Sequence, residues 1–326
     1  MMTTILFILF APDTYLWMVA VPLAVLSLVL LYRWRRPGRL WLRCLALAAL
    51  LAGWYIFLYG SFVGIRHIEV HQVDYASKDL PEAFDGYRIV HISDAHLGSF
   101  NGWRRQILAD AVDSINALKA DLVVFTGDLQ NKVPDEIESN MSLLRRIKAT
   151  DGVVSVLGNH DYTAYSDRDE FHKSADQGRT CSAEQDMGWF LLTNGYHRIR
   201  RGSQCIYIAG MQNDGEGRFP QLGDIAYSLI GLNRQSFVVM LEHDPTSWRR
   251  KILPHSHCQL TLSGHTHGGQ FSLFGWSPAS LTYREYAGMH YAGHRAMYVS
   301  TGLGAVIPIR FGVPPEIAVI TLKAKK

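Results

Sequence analysis

Two histidines one residue apart, His265 and His267, follow the apolar run 259–262 and sit among glycines, with Gly264 before them and Gly268 and Gly269 after. Neutral imidazole is the commonest metal-binding side chain. Glycine lets the backbone turn sharply and lets a ligand come close. Alone, such a pair is a weak signal. It gains force from four other polar clusters that also end apolar runs: Asp94 with His96, Asp128, Asn159 with His160, and His243. Together they offer carboxylate and amide oxygens and imidazole nitrogens, and no thiolate. That mixture suits divalent manganese, iron or zinc rather than a structural thiolate zinc site.

The elements that must position these residues alternate. Residues 87–93, 121–126, 153–157 and 237–241 are rich in Val, Ile, Leu and Phe and read as strands. Between the first two, Ile107, Leu108, Ala111, Val112, Ile115 and Leu118 recur at helical spacing over 103–118. A second helix is expected over 134–148, opening with proline and acids and closing with bases, as the helix dipole favours. Residues 162–187 are polar, mixed in charge and aperiodic. They are expected to form a solvated loop, with a lid as the alternative. Paired strands are expected at 196–200 and 205–209, a helix at 224–232, and short strands at 271–274, 296–300 and 317–322. Strands alternating with helices argue for an α/β layered fold. In such sheets the crevice lies beyond the carboxyl ends of the strands, so motifs far apart in sequence can meet there.

Composition adds an anchor. Residues 16–32 and 44–62 are apolar and carry no charge, each near the ~20 residues that span a bilayer core. Tyr15, Trp17, Tyr32, Trp34, Trp41, Tyr55 and Tyr59 stand near their ends, where aromatic rings favour the interface. The chain lacks the basic start and small-residue cleavage site of a secretion signal, so a two-helix transmembrane hairpin over residues 1–64 is expected, followed by one catalytic domain over 65–326. Arg33, Arg35, Arg36 and Arg39 crowd the link between the helices, and basic short links stay in the cytoplasm. The expected location is therefore a bacterial inner membrane, multi-pass, with the catalytic domain extracytoplasmic. The first 60 residues hold five arginines against one acid, leaving 27 basic and 28 acidic residues elsewhere. That balance gives no nucleic-acid surface, and no nucleic-acid partner is expected. Cys44, Cys181, Cys205 and Cys258 show no CxxC spacing, and a disulfide framework is not expected.

In order, Asp94-x-His96, Gly127-Asp128, Gly158-Asn-His-Asp161, His243 and Gly264-His-x-His267 resemble the signature of calcineurin-like metallophosphoesterases. The resemblance covers about residues 87–322. The runs 298–304 and 308–316 resemble its membrane-associated bacterial branch, which is similar to secreted or anchored phosphodiesterases and to UDP-2,3-diacylglucosamine pyrophosphatases of lipid A synthesis. It implies a layered β-sandwich flanked by helices and two divalent ions (Mn, Fe or Zn, with Mn favoured). By the same resemblance Asp94, His96 and His267 bind one ion, Asn159, His243 and His265 bind the other, and Asp128 bridges them. His160 is the residue left to act as general acid or charge stabiliser. Asp161 either orients His160 or caps the turn. Two ions about 3.5–4 Å apart lower the pKa of a shared water and clamp the oxygens of an in-line displacement.

The implied activity is hydrolysis of a phosphodiester, pyrophosphate or phosphomonoester by metal-bound hydroxide, with a lipid or envelope-linked substrate suggested by the anchor. The alternatives are a UDP-2,3-diacylglucosamine pyrophosphatase, which needs a cytoplasm-facing site, and a catalytically silent membrane-bound binding module. His91 is expected to be a core histidine. His67, His71, His172, His197, His255, His257, His290 and His294 are expected on the surface or in loops, with His290 and His294 as reserves for substrate contact. Arg310 is expected to meet either a phosphate or a carboxylate. Phe271, Phe274 and Trp276 are expected to pack beside a strand, with lipid contact as the alternative.

Overall fold

The computed structural model of the protein describes residues 12–34 and 39–325. Two apolar helices come first, α1 (Pro12–Trp34) and α2 (Leu40–Phe62). They touch where the Trp54 Nε1–H donates to Ser27 Oγ at 3.1 Å and where Gly53 faces the Leu23 side chain. Of the expected basic link, Arg35 and Arg36 lie outside the described residues. Among the described residues one helix, Leu40–Arg66, is long and apolar enough to cross a bilayer.

The remainder is a sandwich of two six-stranded sheets. The first runs β1 (Glu69–Ser77), β12 (Glu316–Ala324), β2 (Arg88–Ile92), β3 (Leu122–Phe125), β4 (Val153–Ser155), β5 (Phe190–Leu191). The second runs β10 (Gly288–Ala292), β11 (Arg295–Val299), β9 (Leu260–Ser263), β8 (Val238–Leu241), β7 (Gln204–Gly210), β6 (Gly195–Arg201). Strands β2 to β5 pair in parallel, as do β7, β8, β9 and β11. Their residues alternate between two cores. Ile89, Leu122 and Val124 point between the sheets with Val239, Leu241, Leu260 and Leu262. Val90, Val123 and Phe125 point outward onto α3 (Arg105–Ala117), through Leu108, Val112 and Ile115. The other sheet buries Val238, Met240, Met297 and Val299 against Trp248 and Ile252. Strands covered on both faces read as unbroken apolar runs, which is why they stand out in the sequence.

Three expected elements are corrected. Helix α4 spans Asp135–Leu144 and does not reach Lys148. The stretch 224–232 holds one helical turn, Ile225–Ser228, capped by Asp224, whose side chain accepts the Tyr227 N–H. Residues 271–274 form no strand, only isolated bridges from Phe271 to Phe311 and from Leu273 to Trp276.

The largest difference lies in 162–187, where 17 residues form helix α5 (Glu170–Asp186). Its buried face is polar: Asp176 pairs with Arg168 and Arg179, and Thr180 Oγ1 donates to Gln130 Oε1 at 2.9 Å. With no apolar stripe the helix leaves no periodic trace in the sequence. Its start is marked instead by Asp169, whose side chain accepts the His172 N–H. All four cysteines are free.

Candidate metal centre

The tips of β2, β3, β4, β8 and β9 open on one edge of the sandwich, and all eight expected residues meet there. Five of them hold left-handed backbone: Asp94, His96, Asp128, His265 and His267 have φ between 45 and 72°. Such a conformation costs a non-glycine residue ~1–2 kcal/mol. Strain of this kind gathers where surrounding contacts enforce it. Here the enforcing contacts are backbone hydrogen bonds between tips: Asp94 N–H to Gly127 O, His96 N–H to Asp128 O, and Gly264 N–H to His243 O. Glycine is required where tips press together. A Cβ on Gly158 would collide with the Asp128 side chain, and one on Gly264 with Ser93 and Asp94.

Ligand atoms of Asp94, His96 and His267 lie within 4.8 Å of one another, as do those of Asp128, His243 and His265. In the first group His96 Nε2 and His267 Nε2 face each other at 3.0 Å, and Asp94 Oδ1 is 3.4 Å from His267 Nε2. Burial, with His160 and His267 nearby, holds His96 well below the usual imidazole range, and burial with the Arg310 guanidinium does the same for His267. Both are therefore neutral, the form that binds metal.

In the second group the orientation of each ring and amide is set from behind. His243 Nδ1–H donates to Thr126 O at 2.7 Å, which turns Nε2 toward Asp128 Oδ2 at 3.2 Å. Asn159 Nδ2 donates to Tyr165 Oη at 2.9 Å, leaving Asn159 Oδ1 2.8 Å from His265 Nδ1. Tyr283 Oη meets the other nitrogen of His265 at 3.0 Å. His265 Nδ1 is also 3.2 Å from His243 Nε2. Four acceptor-type atoms thus converge on one point, which only a proton or a cation can satisfy. The pKa shifts agree. Burial opposes charge on His243, but the Asp128 carboxylate outweighs it and holds the imidazole well above its usual range. Asp128 is correspondingly held low against its burial, by His243 and then His160. The donor set fits divalent cations, with Asp128 set between the groups at 3.6 Å from His96 Nε2 and 3.2 Å from His243 Nε2.

His160 is half-buried. Its Nδ1 is 2.6 Å from Asn131 O, and its ring lies against Tyr165 with centroids 4.2 Å apart. Its ring also meets the edge of His96. Asp161 does not touch His160 through its carboxylate. Its two oxygens accept four backbone N–H groups, from Asp128 (2.7 Å), Leu129 (2.9 Å), Gln130 (3.2 Å) and Gly158 (2.9 Å). Of the two roles expected for Asp161 the geometry therefore favours the turn-tying one. Burial and the nearby Asp128 push this carboxyl up to about 7, while the N–H groups pull it down.

Among the described residues Arg310 forms no salt bridge with a carboxylate. It is 1% exposed and donates to the carbonyls of Thr301, Gly302, Gly304, Val313 and Pro314. Burial pulls its pKa down to about 10. Together with Glu316, which accepts from Tyr298 and Thr301, it braces the loop whose Gly304 N–H donates to Asp94 O at 2.8 Å. His91 is a buried core residue bonded to Thr126 Oγ1 at 2.8 Å, kept neutral by burial with a pKa of about 3. His172 lies on α5, and His197 and His290 lie on strands. Sequence reasoning missed Tyr165, Tyr283 and Phe219, which line the second group; each lies in a stretch with no recognisable pattern, so no local signal pointed to them.

The model of the calcineurin-like phosphoesterase family matches residues 87–269. A metallophosphoesterase of Bacillus subtilis is 33% identical, over 86% of this chain and 94% of its own length. A zebrafish transmembrane protein with a metallophosphoesterase domain is 30% identical over 84% of this chain and 62% of its own length. A dimetal phosphatase structure from zebrafish aligns with a TM-score of 0.39 at 13% identity, covering 69% of this chain and 89% of that one.

Proposed function

Since the chain belongs to the calcineurin-like phosphoesterase family and is a metal-dependent phosphoester hydrolase, we propose that it is a membrane-anchored enzyme using two cations, manganese by preference, on a lipid or envelope-linked phosphate. Asp94, His96 and His267 would hold one cation and Asn159, His243 and His265 the other, with Asp128 reaching both sets. When bound, such cations would activate a water and draw charge from the phosphoryl oxygens. The observation that carries this reading is the convergence of Asp128 Oδ2, His243 Nε2, His265 Nδ1 and Asn159 Oδ1 on one point.

The chain's own part is orientation and proton placement. The Thr126 carbonyl and the Tyr165 and Tyr283 hydroxyls aim the ligands. The Asn131 carbonyl takes the Nδ1–H of His160, so a proton for a phosphoryl or leaving-group oxygen would come from Nε2 of the doubly protonated ring. The Tyr165 ring limits how far His160 can swing.

The anchor reading is supported by α2, whose apolar side chains Leu45, Leu51 and Leu58 are exposed. The basic link between the helices supports an extracytoplasmic catalytic domain. Purified full-length chain should hydrolyse bis-p-nitrophenyl phosphate with manganese, lose that activity to a chelator and regain it on re-addition. No activity with manganese, iron or zinc would overturn the assignment. A reporter fused after Lys326 that works only in the cytoplasm would reverse the orientation.

A further inference from the structure

We propose that the turn at residues 273–276 is a second membrane contact, which sets Phe274 and Trp276 into the leaflet beside the C-terminal end of α2. The inference rests on the anchor reading above. Leu273 and Trp276 exchange backbone hydrogen bonds and close a tight turn. At its tip Phe274 is 99% exposed, and Trp276 is 52% exposed. The stretch 271–283 carries no charged residue. Phe274 has φ 52° and Gly275 φ 80°. A turn of this hand favours Asn or Gly at the first position. An aromatic residue held there, strained and touching nothing, gains nothing in water.

The depth of the turn follows from its neighbours. Phe271 stacks on Phe311 with centroids 5.6 Å apart, and Phe311 packs edge-on against both Tyr55 and Tyr59 of α2. The Arg310 N–H donates to Gly60 O at 3.1 Å, which locks this loop along the helix. The helix ends at Phe62, whose ring stacks on Trp103, with Arg66 over the same indole. Trp and Arg in such a cluster mark the headgroup level. At 1.5 Å per residue, Tyr59 and Tyr55 lie about 5 and 10 Å further in. Phe311 and its stacked partner Phe271 stand at that depth, and the turn projects from them. That is the depth at which apolar groups of interfacial segments rest. The same loop begins at His267, and Ser277 Oγ donates to Gly268 O at 2.6 Å, so the contact would hold the metal centre close to the bilayer surface.

The test uses full-length chain in phosphatidylcholine–phosphatidylglycerol vesicles. Phe274→Cys is made with Cys44→Ser and Cys205→Ser and labelled with nitrobenzoxadiazole. Tyr227→Cys, an exposed site on the short helix 225–228, is the control, and Leu273→Cys is a second reading of the turn. Doxyl groups near the lipid headgroup should quench the labels at 273 and 274 about twofold or more, with blue-shifted emission, and leave the label at 227 untouched. Water-like, unquenched emission at 273 and 274 would overturn the inference. So would a blue shift without doxyl quenching that grows with the protein-to-lipid ratio, which would assign the turn to a second copy. Alkaline carbonate extraction separates the two failures. A chain released by carbonate would overturn the anchor and this inference together. A retained chain with an unquenched label would overturn this inference alone.

Discussion

Replacing Asp161 with alanine removes one carboxylate and leaves four buried backbone N–H groups, those of Asp128, Leu129, Gln130 and Gly158, without acceptors. Each orphaned donor costs ~1–3 kcal/mol. Water entering the vacated space will recover part of this, so the low end, about 1 kcal/mol each, gives a total near 4 kcal/mol. For a domain of this size that is a fall in melting temperature of roughly 8–16 °C. The same Oδ2 oxygen ties Asp128 N–H to Gly158 N–H, and so fixes the Asp128 tip against the Asn159 tip. Loosening that tie should lower manganese affinity about 10–100-fold, the usual effect of losing a group that orients ligands. Asp161→Asn keeps one oxygen for Leu129 and Gln130 but turns an amide against the other two donors, and should lose about half the stability, on the order of 2 kcal/mol. The assay is thermal unfolding of chelator-treated full-length chain in detergent, followed by manganese titration. If Asp161→Ala melts within about 2 °C of the parent, binds manganese equally and loses only turnover, the turn-tying account is wrong and the carboxylate acts on His160.

Other outcomes follow from the same geometry. His160→Ala should retain metal by elemental analysis yet lose ~10²–10⁴ in kcat, most for poor leaving groups, because its Nδ1 is spent on Asn131 and it serves as a proton donor. His265 stands at φ 72°, so His265→Gly should be more stable than His265→Ala by about 1 kcal/mol in chemical denaturation, though both lose activity. Glu184 is fully buried on α5, and burial, then Asp161, holds its carboxyl well above 4.5. The unfolded chain sheds that proton first, so this group lowers stability by about 1.4 kcal/mol per pH unit as pH rises above ~4.5 toward the folded value. Glu184→Gln should therefore match the parent near pH 4 and melt higher than it near pH 8. Asp128 holds His243 protonated, so cation binding should expel a proton, seen as a calorimetric heat that changes with the ionisation enthalpy of the buffer.

What the sequence determined by itself is the chemistry and the strand frame. Doubly covered strands such as 122–125 and 238–241 are unbroken apolar runs, and the polar residues that end them follow at once, beside Gly127, Gly158 or Gly264 in three of the five sets, so both leave local marks. The eight side chains that meet at the sheet edge were nameable for that reason. Three things were decided only in three dimensions. Helix α5 buries Asp176, Thr180 and Glu184, a polar face whose partners include Arg168 and Gln130 outside the helix, so no hydrophobic period betrays it. Asp161 and Arg310 spend their charge on backbone N–H and carbonyl groups, which every residue carries and no side-chain pattern reveals. Phe271 packs on Phe311 while Phe274, three residues on, touches solvent alone, because the turn between Leu273 and Trp276 lifts the tip off the domain. Local sequence encodes which groups are present and which face of an element is apolar. It does not encode which distant backbone atom a buried charge will find.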